Sequence, residues 1–122
     1  MRRAVLGVAL VIVLSVAVSA EAAKPRTIRD YIAGNTFVVG GVARRGSALT
    51  IRTGDRVVWT NLDATAHDVT FPSLGVSLYL NGRKTQGSLE FPSPGYYPYV
   101  CTIHASQQSM HGVVYVSDTA PV

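Results

Sequence analysis

Leu49-Thr-Ile-Arg-Thr-Gly-Asp-Arg-Val-Val-Trp-Thr60 decides the fold class of this chain. Leu49 and Ile51 alternate with polar residues, the period of a strand that lays one face on a core. Thr53-Gly54-Asp55 then supplies turn chemistry, and Arg56-Val-Val-Trp-Thr60 resumes as a β-branched and aromatic run. Working outward, the same grammar recurs. Thr36-Phe-Val-Val39, His67-Asp-Val-Thr-Phe71 and Gly112-Val-Val-Tyr-Val-Ser117 read as short strands, with alternation plain at Val114 and Val116. Gly40-Gly41, Arg45-Gly46-Ser47, Asn81-Gly82 and Pro92-Ser-Pro-Gly95 punctuate them. Tyr97 and Tyr99, two apart, fall on one face of a strand that runs into Cys101. Trp59 has the size of a core anchor, and its N–H needs a partner. No segment after the first 23 residues carries a 3.6-residue apolar period. Short strands separated by turns predict an all-β protein, an antiparallel sandwich or barrel.

Residues 1–22 stand apart. Arg2 and Arg3 precede an apolar run from Ala4 to Val18, broken only by Gly7 and Ser15, and Val18-Ser19-Ala20 and Ala20-Glu21-Ala22 offer small-residue cleavage sites. This is the pattern of a secretory signal peptide. An uncleaved membrane anchor is the alternative, although the run falls short of the ~20 residues that span a bilayer. Residues 23–122 then form one domain, too short for two cores, with residues 23–34 as a loose arm. Beyond Ala22 the chain holds nine Lys/Arg against six Asp/Glu, and the basic residues (Arg44-Arg45, Arg52, Arg56, Arg83-Lys84 among them) are scattered. Nucleic-acid binding would need a basic stripe with base-stacking aromatics, which is missing. A mild positive surface suits an acidic partner or an anionic membrane surface.

The chemistry concentrates in Cys101-Thr-Ile-His104 and in Met110, with His67 far upstream. Cys101 is the single cysteine, so an exported chain has no internal disulfide to make, and the thiol is reactive, intermolecular or a ligand. Two imidazoles, one thiolate and one thioether are the donor set of a mononuclear blue-copper site. A structural zinc site would want four strong ligands, usually with a second paired motif. Taken singly, His67 beside Val69 and Phe71 also reads as a core histidine, Cys101 as a small buried hydrophobe and Met110 as packing. The joint pattern favours a metal. His111, the third histidine, is expected to sit at least partly exposed.

With Leu49 to Asp63, Tyr97 to His104 and Met110 to Val116 in this order, the chain resembles the cupredoxin family of small blue-copper proteins. It lies nearest the plastocyanin, pseudoazurin and amicyanin branch, and the resemblance runs from about Phe37 to Ser117. It implies a Greek-key β-sandwich in which paired strands lead to the first histidine. It further implies His67, Cys101 and His104 as strong equatorial ligands, Met110 as a weak axial one, and a single copper cycling between Cu(I) and Cu(II). Two departures stand out. Five residues separate His104 from Met110, a longer loop than that branch uses, and Gln107 or Gln108 inside it offers an alternative axial oxygen. Asp68 stands where the family commonly has asparagine. Either it accepts a hydrogen bond from the Thr102 hydroxyl, or it points to solvent and only its backbone N–H approaches the Cys101 sulfur.

The function implied is an exported, periplasmic one-electron carrier, working as a monomer between redox proteins such as a cytochrome, a dehydrogenase, an oxidase or a reductase. It needs no small-molecule substrate and no nucleic acid, and it is not an enzyme. The chain has no His-x-His pair for additional coppers and no Ser/His/Asp or paired-carboxylate arrangement that reads as catalytic. Two alternatives remain at this point: a copper-binding protein for buffering or delivery, and a structural cupredoxin-like module without metal. The electron is expected to leave through the far ring edge of His104, beside the small residues Ala105 and Ser106.

Overall fold

Strict alternation of buried and exposed residues makes Ser47–Ile51 a strand, β4, with Leu49 and Ile51 turned inward. The computed structural model describes residues 3–5, 7–15, 24–39, 42–43 and 47–119. In chain order the other strands are β1 (Thr27–Ile32), β2 (Phe37–Val39), β3 (Val42–Ala43), β5 (Arg56–Asn61), β6 (His67–Phe71), β7 (Val76–Leu80), β8 (Gln86–Glu90), β9 (Gly95–Val100) and β10 (His111–Val116). They form two five-stranded sheets, ordered β3-β2-β1-β5-β8 and β4-β10-β9-β6-β7. The expected all-β sandwich is what forms. The expected cleavage sites between residues 18 and 22, and the punctuators Gly40-Gly41 and Arg45-Gly46, lie outside the described residues.

Two expectations change. The pairing is mixed, since β1 runs parallel to β5 and β4 parallel to β10. The strands flanking Thr53-Gly54-Asp55 therefore do not pair with each other: the turn carries the chain from one sheet to the other. Gly54 takes φ 89°, which glycine adopts without a Cβ penalty. Asp55 closes the turn by accepting the backbone N–H groups of Arg26 and Arg52 and the Arg26 guanidinium, each at 2.8 Å. Burial opposes ionisation of Asp55, but the Arg26 partners outweigh it and hold its carboxyl below the usual range. The second change is at the supposed arm. Residues 27–32 are β1, an inner strand between β2 and β5, and Ile32 and Asp30 are fully buried.

Between the sheets the core is an aromatic cluster. Tyr99 meets Phe37, Trp59 and Phe71 at centroid distances of 4.8, 5.6 and 5.2 Å, and Phe71 meets Phe91 at 5.7 Å. Tilted and edge-on contacts of this kind add to the burial of the rings. Tyr97 and Tyr99 both face inward, as their spacing implied. Trp59 is the anchor expected, but its indole N–H is buried near Asp30 without closing a hydrogen bond.

Asp30 carries a consequence for stability. Its carboxylate accepts the Tyr31 N–H at 2.8 Å, and the Tyr99 hydroxyl lies between Asp30 Oδ2 (3.3 Å) and Ser47 Oγ (3.1 Å). Burial pushes the carboxyl up to about 6, against the pull of these donors. A raised folded-state value means that the folded protein holds this proton more tightly than the unfolded chain. The contribution is fully present below about pH 4 and is lost as the pH rises through about 6. Asp30→Asn should flatten that slope in urea unfolding measured from pH 4 to 8, and should stabilise the protein above pH 7 by up to about 3 kcal/mol. The amide oxygen can still accept the Tyr31 N–H, and its NH2 can donate to Tyr99. A variant that keeps the wild-type slope would clear Asp30 of this role.

Neighbouring strands β6 and β9 are antiparallel, with Thr70 opposite Val100. The first residue of β6 and the residue after β9 therefore meet at the same end of the sandwich. These are His67 and Cys101.

Candidate metal centre

Cys101 follows β9 directly, and a single 3-10 turn, Thr102–His104, returns the chain beneath it. Side chains three apart eclipse in a 3-10 turn, which is why a Cys-x-x-His spacing brings thiol and imidazole together. His104 N donates to Cys101 O at 3.2 Å, and the pattern repeats every third residue: Gln107 N to His104 O at 2.9 Å and Met110 N to Gln107 O at 3.0 Å. Cys101 N then donates to Met110 O at 2.9 Å, closing a ring of backbone hydrogen bonds. The longer loop is thus a second 3-10 turn, Gln108–Met110, and not slack. It turns Gln107 and Gln108 to solvent and buries Met110 completely.

His67 opens β6 and is fully buried. Its Nδ1 lies 3.2 Å from His104 Nδ1 and 3.8 Å from Cys101 Sγ, while Cys101 Sγ lies 3.5 Å from His104 Nδ1. A point in the plane of these three atoms and equidistant from them lies about 2.0 Å from each, within the ordinary range of metal–nitrogen and metal–sulfur bonds, about 2.0–2.3 Å. Soft sulfur with two imidazoles is a donor set that suits copper. The three residues form the only such group of three or more His, Cys, Asp or Glu among the described residues. By position and chemistry, they fit a copper ion.

His67 is aimed by a residue that sequence reading passed over. Its Nε2 donates to Asp63 Oδ2 at 2.9 Å, leaving the Nδ1 lone pair directed at the other two donors. Asp63 is itself held by the backbone N–H groups of Gly34 (2.8 Å) and Asn35 (3.0 Å), residues with φ of 58° and 52° whose left-handed turn presents consecutive donors. Burial works against ionisation of Asp63, but these N–H groups and the His67 ring together keep its carboxyl below the usual range. The available signal was Asn61-Leu-Asp63: the Asn61 side chain accepts the Asp63 N–H at 2.9 Å, a local turn of the kind asparagine favours.

Asp68 resolves a question that the sequence left open. It is buried rather than solvent-facing. Its Oδ2 accepts the Thr102 hydroxyl at 2.6 Å, and its Oδ1 accepts the Thr102 N–H at 2.9 Å and the Thr70 hydroxyl at 2.8 Å. Its own N–H also points at Cys101 Sγ, at 3.5 Å. Both interactions weighed from the sequence are present together; only the outward-pointing side chain is corrected. His111 stays out of the cluster and is partly exposed, its Nε2 donating to Ala105 O at 2.6 Å. His104 is half-buried, and Ile103, Ala105 and Ser106 beside it are exposed.

No family model matches the chain. Amicyanin-alpha of Methylorubrum extorquens is 35% identical over 83 residues, which cover 63% of this chain and 70% of that protein. Among solved structures, a Cu(I) variant of amicyanin superposes with a TM-score of 0.60 at 28% identity, over 75% of this chain and 82% of that one. A second amicyanin variant, a reduced Cu(I) form at pH 4, gives a TM-score of 0.60 at 29% identity, over 80% of this chain and 87% of that one. Sandwich topology, a converging His-Cys-His triangle and these similarities agree, and the chain belongs to the cupredoxin family of small blue-copper proteins.

Proposed function

We propose that this cupredoxin is an exported one-electron carrier whose copper would be held by His67, Cys101 and His104, with Met110 as a fourth, weaker ligand. The observation that carries the reading is the triangle of His67 Nδ1, Cys101 Sγ and His104 Nδ1, sized for one metal ion. When bound there, copper supplies a reversible Cu(I)/Cu(II) couple. Amicyanin-like cupredoxins are electron carriers and not enzymes. The protein's part is to hold the donors still. Asp63 orients His67, the closed hydrogen-bond ring braces Cys101 to Met110, and the Asp68 N–H faces the sulfur. A frame that serves both oxidation states changes little when the electron arrives. Burial of Cys101 and His67 also disfavours the ligand exchange that a delivery protein needs.

Met110 is favoured over the glutamines because it is buried while Gln107 and Gln108 are exposed. The electron leaves through half-buried His104 to a redox protein partner. Arg83, whose guanidinium donates to the Leu62 carbonyl at 3.3 Å, places positive charge beside exposed Leu62 at the same end. That suits a partner with an acidic surface. The export reading rests on Arg2-Arg3 and the apolar run of residues 4–18, and the mass of the chain recovered from its compartment checks it. No helix among the described residues is long and apolar enough to cross a membrane.

Addition of Cu(II) should produce an intense visible band from thiolate-to-copper charge transfer, and the band should survive redox cycles in the presence of a chelator. A colourless complex, or loss of metal on the first reduction, would defeat the proposal. Met110→Leu should keep the colour and raise the midpoint potential, since a weak donor to Cu(II) is lost. If Gln107→Leu or Gln108→Leu does so instead, the axial assignment is wrong.

A further inference from the structure

We propose that the Asp68 carboxylate biases the centre toward Cu(II), so that its negative charge, and not only its hydrogen bonds, makes this a low-potential carrier. The inference rests on the copper reading above and concerns a residue that touches none of the donors through its side chain. Asp68 is a positioning residue between the two ligand-bearing segments. It follows His67 directly, and its carboxylate receives both the N–H and the O–H of Thr102, which follows Cys101 directly. The two segments lie 34 residues apart in sequence, so this latch is made only on folding.

Three observations give the charge a role. The three groups bonded to the carboxylate, Thr102 N–H, Thr102 O–H and Thr70 O–H, can all donate, the partner set that suits an ionised acceptor. Thr70 in turn lies 2.7 Å from Ser77 Oγ, whose hydroxyl can supply it with a proton, so Thr70 is free to give its own to Asp68. The carboxylate is buried, and the ion pairs among the described residues involve Asp55, Glu90 and Asp63 and not Asp68. A buried charge without a counter-charge acts on the nearest site whose charge changes. With one thiolate and two neutral imidazoles, the copper centre carries one positive charge when oxidised and none when reduced. A fixed negative charge close by therefore stabilises the oxidised form selectively.

The test is Asp68→Asn in the full-length, copper-loaded protein. The amide keeps the shape: its oxygen accepts the Thr102 N–H, and its NH2 donates to the Thr102 hydroxyl, which turns to accept. Cu(I) and Cu(II) affinities are measured separately by chelator competition, together with the midpoint potential. The expected result is an intact visible band and a ratio of Cu(II) to Cu(I) affinity that falls about tenfold, equivalent to a rise in potential of about 59 mV. A purely structural latch would weaken both affinities equally and leave the ratio unchanged, and that outcome overturns the proposal. Thr102→Val, which removes the hydroxyl and keeps the charge, should shift the ratio by less than about twofold; a shift as large as that of Asp68→Asn also overturns it. Should the amide variant fail to fold, Asp68→Ser retains an acceptor for the Thr102 N–H and reads the same loss of charge. Absence of the visible band from the wild-type protein would remove the copper reading, and this proposal with it. An unchanged ratio in a protein that keeps the band removes this proposal alone.

Discussion

Cys101→Ser should abolish the intense visible absorption expected of the copper-loaded protein and lower its affinity for Cu(I) by more than about 100-fold. Loss of a partner that merely orients a ligand costs 10–100-fold in metal affinity, so loss of the soft donor itself costs more. In the proposed site the thiolate would be both the strongest donor to Cu(I) and the source of the charge-transfer band, and a serine hydroxyl replaces neither. The fold should survive. Cys101 is fully buried, but serine is nearly isosteric, and its oxygen can still accept the Asp68 N–H that now faces the sulfur. Visible and far-ultraviolet spectra of the variant separate the two effects. A variant with native far-ultraviolet signal and an undiminished visible band would show that Cys101 is not a ligand.

Gly112→Ala should destabilise the protein by about 3 kcal/mol, near the upper end of what overpacking a well-filled core costs. Gly112 lies on β10 directly opposite Tyr99 on β9, and the Tyr99 ring leans over the place where a Cβ would stand. An added methyl would fall inside the van der Waals envelope of the ring and its hydroxyl. The ring has no room to withdraw, because Phe37, Trp59 and Phe71 surround it and its hydroxyl is held between Asp30 and Ser47. For a domain of this size the loss corresponds to a fall in melting temperature on the order of 15 °C. The damage is transmitted, since Tyr99 is two residues from Cys101 on the strand that positions it. Melting within about 3 °C of the wild type would mean that the sandwich has slack which the packing here denies.

Much of this protein was legible before folding, for a local reason. Strand alternation at β4 and β10, turn chemistry at Gly54 and Asp55, and the Cys-x-x-His spacing are properties of residues adjacent in sequence, and each leads to one local conformation. Donor chemistry is likewise intrinsic to the side chains, so the choice of metal followed from residue type. Other elements gave no such signal. Thr27–Ile32, with Arg29 and Asp30 in it, reads as a polar arm, because the burial of Asp30 makes sense only beside Tyr99 and Ser47, 69 and 17 residues away in sequence. β8 carries Gln86, Gly87, Ser88 and Glu90 and lies at a sheet edge, where one flank has no strand to demand an apolar run.

At the site the division falls in the same place. Sequence by itself singled out the candidate donors and the all-β frame that separates His67 from the Cys101 loop. Tertiary structure alone decided which carboxylates serve them. Asp63 reaches His67 because the turn at Gly34 and Asn35 holds it from another strand connection, and Asp68 turns inward because Thr102 arrives from across the sheet with two donors. A hydrogen-bond partner 34 residues distant has no trace in local periodicity. It exists only once β6 and β9 lie side by side, which is a property of how the strands pair and not of the residues along either one.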